Sequence, residues 1–264
     1  LRQAVALGLL HGPAELMPVS SSGHTALLAW QRRWSYERLD GATRKRFEVA
    51  LHAGTTAALL IASRRELRAS PIAVVVIACV PPAIAGKLLQ GPIERRLGTP
   101  PTIAAGLVGG SLAMAIAERT GSRGRAREDA GIADAVALGA AQAVALIPGV
   151  SRSGATRAAA RWRGFDPVEA DALASAVGLP ITLGALALKG SEGLRGDRSE
   201  WGPLGAGALA AFSSTLISAS AIRRVGPGRS LLPYAAYRVA LATAVVRRLR
   251  QNGGDDRRLR RRRR

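Results

Sequence analysis

Two short stretches carry side chains suited to phosphate chemistry: His11, Glu15, Ser20, Ser21, Ser22 and His24 in the first, Ser151, Arg152, Ser153 and Thr156 in the second. Together they hold a carboxylate, two imidazoles, several hydroxyls and a guanidinium. Phosphoryl transfer asks for that set. A guanidinium clamps non-bridging oxygens, hydroxyl and backbone donors orient them, and one group attacks phosphorus or activates water. An imidazole near its ordinary pKa passes protons at physiological pH. His11 and Glu15 are four residues apart, so on a helix they share a face and could hold a divalent cation.

Arg152 is the sharpest single signal. It stands in Pro148-Gly149-Val150-Ser151-Arg152-Ser153-Gly154-Ala155-Thr156, inside the mostly apolar region 133–160. A charge at membrane depth costs about 2.5–3.5 kcal/mol on insertion scales, so it needs a partner and usually a function. The surrounding Gly and Ser residues supply N–H and hydroxyl donors, and the stretch reads as an anion cradle. Plainer roles exist for several of these residues. Ser20, Ser22 and Ser153 could cap helices, and Glu15 and Arg152 could form a structural bridge. His52 reads as a packing residue and Lys87 as an interfacial one.

The elements that must position these groups read as membrane helices. The chain has 264 residues, 48% of them hydrophobic and 4% aromatic. Nearly charge-free apolar stretches at 49–63, 71–89, 101–117, 172–188, 204–222 and 231–246 alternate with Arg-rich connectors. Each chemistry-bearing stretch is different: two half-length apolar arms around a polar Gly/Pro/Ser turn, the pattern of a re-entrant hairpin. The hairpins also match in letters. Val19-Ser20-Ser21-Ser22-Gly23 aligns with Val150-Ser151-Arg152-Ser153-Gly154, and Leu7-Gly8 with Leu138-Gly139. Arg95-Arg96-Leu97-Gly98 and Arg223-Arg224-Val225-Gly226 echo each other at nearly the same offset. The expected fold is therefore all-α: a polytopic membrane protein built as an inverted repeat, one re-entrant helical hairpin plus three transmembrane helices per half. A single membrane domain spans 1–246, with halves about 1–120 and 132–246, and a disordered Arg-rich tail occupies 247–264.

The formal net charge of +20 is concentrated in connectors and tail. The tail reads as a cytoplasmic topology anchor that meets anionic headgroups. Nucleic acid is not an expected partner, because no aromatic or folded module accompanies the arginines. Cys79 is the only cysteine, which excludes disulfides within the chain and cysteine metal sites. No cleavable signal is visible, and the sequence begins with Leu.

On these residues the chain resembles the undecaprenyl-diphosphate phosphatase family, also called bacitracin-resistance proteins. The two hairpin motifs carry the likeness, which extends through Phe47-Glu48-Val49, His52-Ala53-Gly54-Thr55, Gln142 and Tyr237-Arg238. The resemblance implies a membrane hydrolase that converts undecaprenyl diphosphate to undecaprenyl phosphate and phosphate, recycling the carrier for cell-wall synthesis. It implies Mg2+ or Ca2+ as cofactor, the bacterial plasma membrane as location, and a site open to the outer face. Glu15, Ser21, His24 and Arg152 match catalytic positions, and Ser151, Arg152, Ser153 and Thr156 match substrate-binding ones. Ser21 or His24 would be nucleophile or proton carrier, and Glu15, with His11, the metal ligand or base. His11 departs from the family pattern, which has Glu or Gln there. A lipid diphosphate substrate and the bilayer are the expected partners, with a homodimer as a candidate assembly. A polyprenyl-phosphate flippase and a binding-only paralogue are the competing readings.

Overall fold

The computed structural model describes residues 1–121, 123–193 and 200–262, and its regular elements are all helical. The chain opens with α1 (Arg2–Leu16) and α2 (Ser21–Arg32). It continues through α3 (Gly41–Ala62), the short α4 (Arg64–Ala69), α5 (Ile72–Leu97) and α6 (Pro100–Thr120). With the short α4 set aside, the order short, short, long, long, long then recurs as α7 (Ile132–Val144), α8 (Arg152–Trp162), α9 (Pro167–Gly193), α10 (Trp201–Val225) and α11 (Leu232–Arg262).

Among the described residues, four stretches are long and apolar enough to cross a bilayer: Ile72–Leu89, Pro100–Thr120, Pro167–Leu188 and Trp201–Val225. On α5, Ile72, Val76, Val80, Ile84 and Leu88 recur every four residues and are each at least half exposed. Val74, Val75 and Ala78 of the same helix are buried. An outward apolar stripe of that length is stable against acyl chains and unstable against water. The chain is a multi-pass membrane protein. The expected spans 49–63 and 231–246 are helical, as parts of α3 and α11, but those helices are too charged to count among the four. Arg44, Lys45, Arg46 and Glu48 occupy the start of α3, and α11 carries Arg238, Arg247, Arg248 and Arg250.

The arms of the two hairpins are shorter. α1, α2, α7 and α8 have 15, 12, 13 and 11 residues. At about 1.5 Å per residue each falls short of the roughly 30 Å hydrocarbon core. The sequence ended the first apolar arm at Leu10, whereas α1 runs on through Pro13 to Leu16. So near the helix end Pro13 gives up only one backbone bond, and the extra turn carries His11 and Glu15 on one helix. The tail expected from Arg247 continues α11 as far as Arg262, and residues 263–264 lie outside the described residues.

Each hairpin packs on a long helix of the other half: α1 against α10, and α7 against α5. Small residues make this close. A Cβ on Gly8 would lie 2.4 Å from Gly207 O, and one on Gly12 would lie 2.2 Å from Ser214 Oγ. Backbones at that distance gain packing that larger side chains would prevent. α6 lies against α11 and α3 against α9, which closes the bundle around the two turns.

Candidate active site

Both turns end on a serine in a strained backbone conformation. Ser20 has φ 78° and Ser151 φ 71°, a region that costs a non-glycine residue about 1–3 kcal/mol. Each serine offsets part of that cost by capping the next helix. Ser20 Oγ accepts from Gly23 N at 3.3 Å and Ser151 Oγ from Gly154 N at 3.2 Å. α2 and α8 therefore both begin at the site, with unpaired first-turn N–H groups and the positive ends of their dipoles there.

A fully buried Arg238 ties the turns to each other. It donates to Pro18 O of the first turn at 3.1 Å, and to Gly149 O and Val150 O of the second at 2.8 Å each. It also reaches Gly106 O and Leu107 O of α6, at 3.4 and 3.3 Å. No carboxylate pairs with it among the described residues. The fork geometry of guanidinium suits this task, since several donors diverge from one plane.

Held this way, the turns bring together residues far apart in sequence. The Arg152 guanidinium donates to Glu15 Oε1 and, at 2.6 Å, to Gly178 O of α9. The other Glu15 oxygen accepts from Ser21 Oγ at 2.5 Å. A hydroxyl on a carboxylate beside a guanidinium is chemically able to serve as nucleophile, base and anion clamp. Ser153 also joins the site, donating to Met17 O of the opposite turn at 3.1 Å. Thr156 is fully buried and donates within its own helix to Arg152 O at 2.9 Å, so its hydroxyl supports α8 rather than facing the site.

His24 lies apart from the Glu15–Ser21–Arg152 contact in its hydrogen bonding. Nδ1 meets Ser20 O at 2.8 Å, and Nε2 meets Tyr237 Oη at 2.7 Å, with the two rings stacked. His11 is turned to α3: Nδ1 meets Thr55 Oγ1 at 3.0 Å, and its ring sits edge-on to His52 with centroids 4.7 Å apart.

Between the hairpins and α9 is a cavity of about 40 Å³, lined among others by Glu15, Arg152, Ser153, Arg157 and Ser175. A single water needs roughly 10–15 Å³ of such space, so the cavity suits a few waters. A diphosphate would have to part Arg152 from Glu15 to enter. Arg157 adds a second cation on this wall, bonded to Leu16 O at 2.9 Å and 3.0 Å from Asp171.

For a cation, the ligand atoms of His11, Glu15 and His52 lie within 4.8 Å of one another. Mg2+ demands a near-octahedral shell of oxygens, and Ca2+ takes more oxygens still. One carboxylate, already shared by Ser21 and Arg152, and two imidazoles do not supply that shell. The residues present do not fit Mg2+ or Ca2+ well.

Sequence reasoning left Tyr237, Arg238, Arg157 and Thr55 out of the site and read His52 as packing. Some signal was there. Arg238 is a lone arginine in the apolar stretch 231–246, and His52 and Thr55 are three apart on one helix face.

A family model described as bacitracin resistance protein BacA matches residues 4–244. The chain is 34% identical over 266 residues to the undecaprenyl-diphosphatase of Geobacter metallireducens, covering 92% of this chain and 96% of that one. It is 34% identical to the undecaprenyl-diphosphatase of Geobacter sulfurreducens, covering 93% and 97%. For that of Gemmatimonas aurantiaca the identity is 32%, covering 92% and 96%.

Proposed function

The chain belongs to the bacitracin resistance protein BacA family, and from that premise we propose that it hydrolyses undecaprenyl diphosphate to undecaprenyl phosphate and inorganic phosphate. The observation that carries the mechanism is the Ser21–Glu15–Arg152 contact, made by two hairpins that are distant in sequence. The incoming diphosphate takes the place of Glu15 on the Arg152 guanidinium, which then holds the non-bridging oxygens of the terminal phosphate. Ser21 Oγ attacks the terminal phosphorus while Glu15 takes the hydroxyl proton. The bond from that phosphorus to the bridging oxygen breaks, and undecaprenyl phosphate departs. Glu15 passes its proton to solvent and then accepts one from a water that attacks the phosphoserine; as the bond from phosphorus to Ser21 Oγ breaks, Glu15 gives that proton to Oγ, which frees phosphate and restores Ser21. Ser153 and the first N–H groups of α8 orient the phosphate oxygens. His24, engaged by Ser20 O and Tyr237 Oη, fixes the turn that presents Ser21.

The same proposal places the two hairpins as re-entrant elements of an inverted repeat. Arms too short to span, three long helices in each half and the reciprocal packing of α1 on α10 and α7 on α5 support it. Three spans per half reverse the orientation of the second hairpin, so the turns meet from opposite sides. The bacterial inner membrane, with the cavity open to the outer face, is part of this reading. Phosphate release from undecaprenyl diphosphate by the purified protein tests it, run beside a liposome assay for lipid movement. Release with the lipid monophosphate as product supports the hydrolase. Movement of intact diphosphate without release supports a flippase instead.

A further inference from the structure

We propose that His11, Glu15 and His52 form a mixed nitrogen and oxygen site for a borderline transition-metal dication of the Zn2+ class, which it binds in preference to Mg2+ or Ca2+. The inference rests on the hydrolase reading of the same site and adds His52, from α3, as a third ligand.

Four observations converge. The ligand atoms of the three residues already lie within 4.8 Å of one another. His11 is 2% exposed, and Thr55 Oγ1 holds its Nδ1 at 3.0 Å. With the proton on Nδ1, the lone pair sits on Nε2, and an outer partner of this kind is how ligating histidines are usually oriented. His52 is three residues before Thr55 on α3, so one helix face supplies both the ligand and the partner that orients His11. No hydrogen bond commits the His52 ring nitrogens among the described residues, and the ring sits edge-on to His11 with centroids 4.7 Å apart.

Charge decides which ion. A hard cation is held mainly by carboxylate charge. Here the single carboxylate, Glu15, is already balanced by Arg152, so little net attraction is left for Mg2+ or Ca2+. Neutral imidazoles bind through nitrogen lone pairs instead, and they suit Zn2+ and its neighbours. Two histidines and a glutamate are also a known catalytic donor set for Zn2+, one that keeps a coordination position open.

The test is metal binding, read separately from turnover. Protein prepared without a polyhistidine tag and stripped with chelator is titrated with Zn2+, and with Co2+ as an optical probe. One tightly bound ion per chain is expected, and it should persist against a large excess of Mg2+ or Ca2+. Thr55→Val should weaken Zn2+ roughly 10–100-fold, the scale of losing an outer partner. His11→Gln and His52→Gln should weaken it further, with helical content monitored by circular dichroism. Absence of stoichiometric Zn2+ binding to the native chain, displacement by equimolar Mg2+, or undiminished binding in folded His52→Gln each overturns the proposal. If a variant fails to fold, the native competition arm still decides. Phosphate release does not enter these outcomes. Zn2+ binding without release would sink the hydrolase reading alone, and release without Zn2+ binding would sink this site alone.

Discussion

Ser20 and Ser151 hold the same turn with the same positive φ, cap the next helix through the same Gly N–H, and share Arg238 as a tether. The residue after each serine differs: Ser21 in the first hairpin, Arg152 in the second. The arms differ in the same way. His11 lies four residues after Leu7 and Gln142 four residues after Leu138, and each bonds a long helix of its own half or its neighbour, through Thr55 and Ala78 O. The first hairpin brings the acceptors, namely carboxylate and imidazoles, while the second brings the guanidinium. On the proposed repeat, the scaffold keeps its backbone alike in both copies and divides the chemistry between them. The result is an acceptor and a cation facing each other, which one copy paired with itself would not give.

Breaking either side of this division should cost the most. Glu15→Gln removes the proposed base and should lower kcat by about 10²–10⁴-fold, the range for general base catalysis. Steady-state phosphate release measures it, and a Gln142→Ala control in the other hairpin should keep the native kcat. Arg152→Ala should cost about 10²–10³-fold in kcat/KM, as loss of a charge-stabilising donor does. It also leaves Glu15 buried without its partner, so its melting curve must be recorded with the kinetics. Arg238→Met tests the shared tether. Buried carbonyls left unmet cost about 1–3 kcal/mol, and a fall in thermal stability of at least that size is expected. The smallest effect should be the most even. Ser20→Ala and Ser151→Ala each lose a cap worth about 1 kcal/mol, and markedly unequal losses in melting would show that the two turns do different structural work.

Much of this division was legible in the letters. The paired Val-Ser-x-Ser-Gly motifs mark both turns, and an isolated arginine in an apolar stretch announces a buried partner. Glu15 was the one carboxylate in the facing motif. Periodicity and hydropathy also marked the four apolar spans, because a lipid-facing stripe such as the one on α5 leaves a local signal. What sequence could not supply was contact between distant segments. Arg238 is met by carbonyls of three separate segments, and backbone acceptors carry no residue-type signature. Tyr237 reaches His24, and Thr55 reaches His11, only once α3 and α11 are packed in place. The two charged long helices were legible only in their apolar parts. Residues 49–63 and 231–246 do lie in α3 and α11, but the charged turns that continue the same helices were read as connectors.

The most direct measurement compares phosphate release from undecaprenyl diphosphate by the native chain, Ser21→Ala and Arg152→Ala, in one detergent and at matched folded concentration. One site built from both hairpins predicts stoichiometric release by the native chain and a loss of about a hundredfold or more in each variant. Release at the native rate by either folded variant would contradict it.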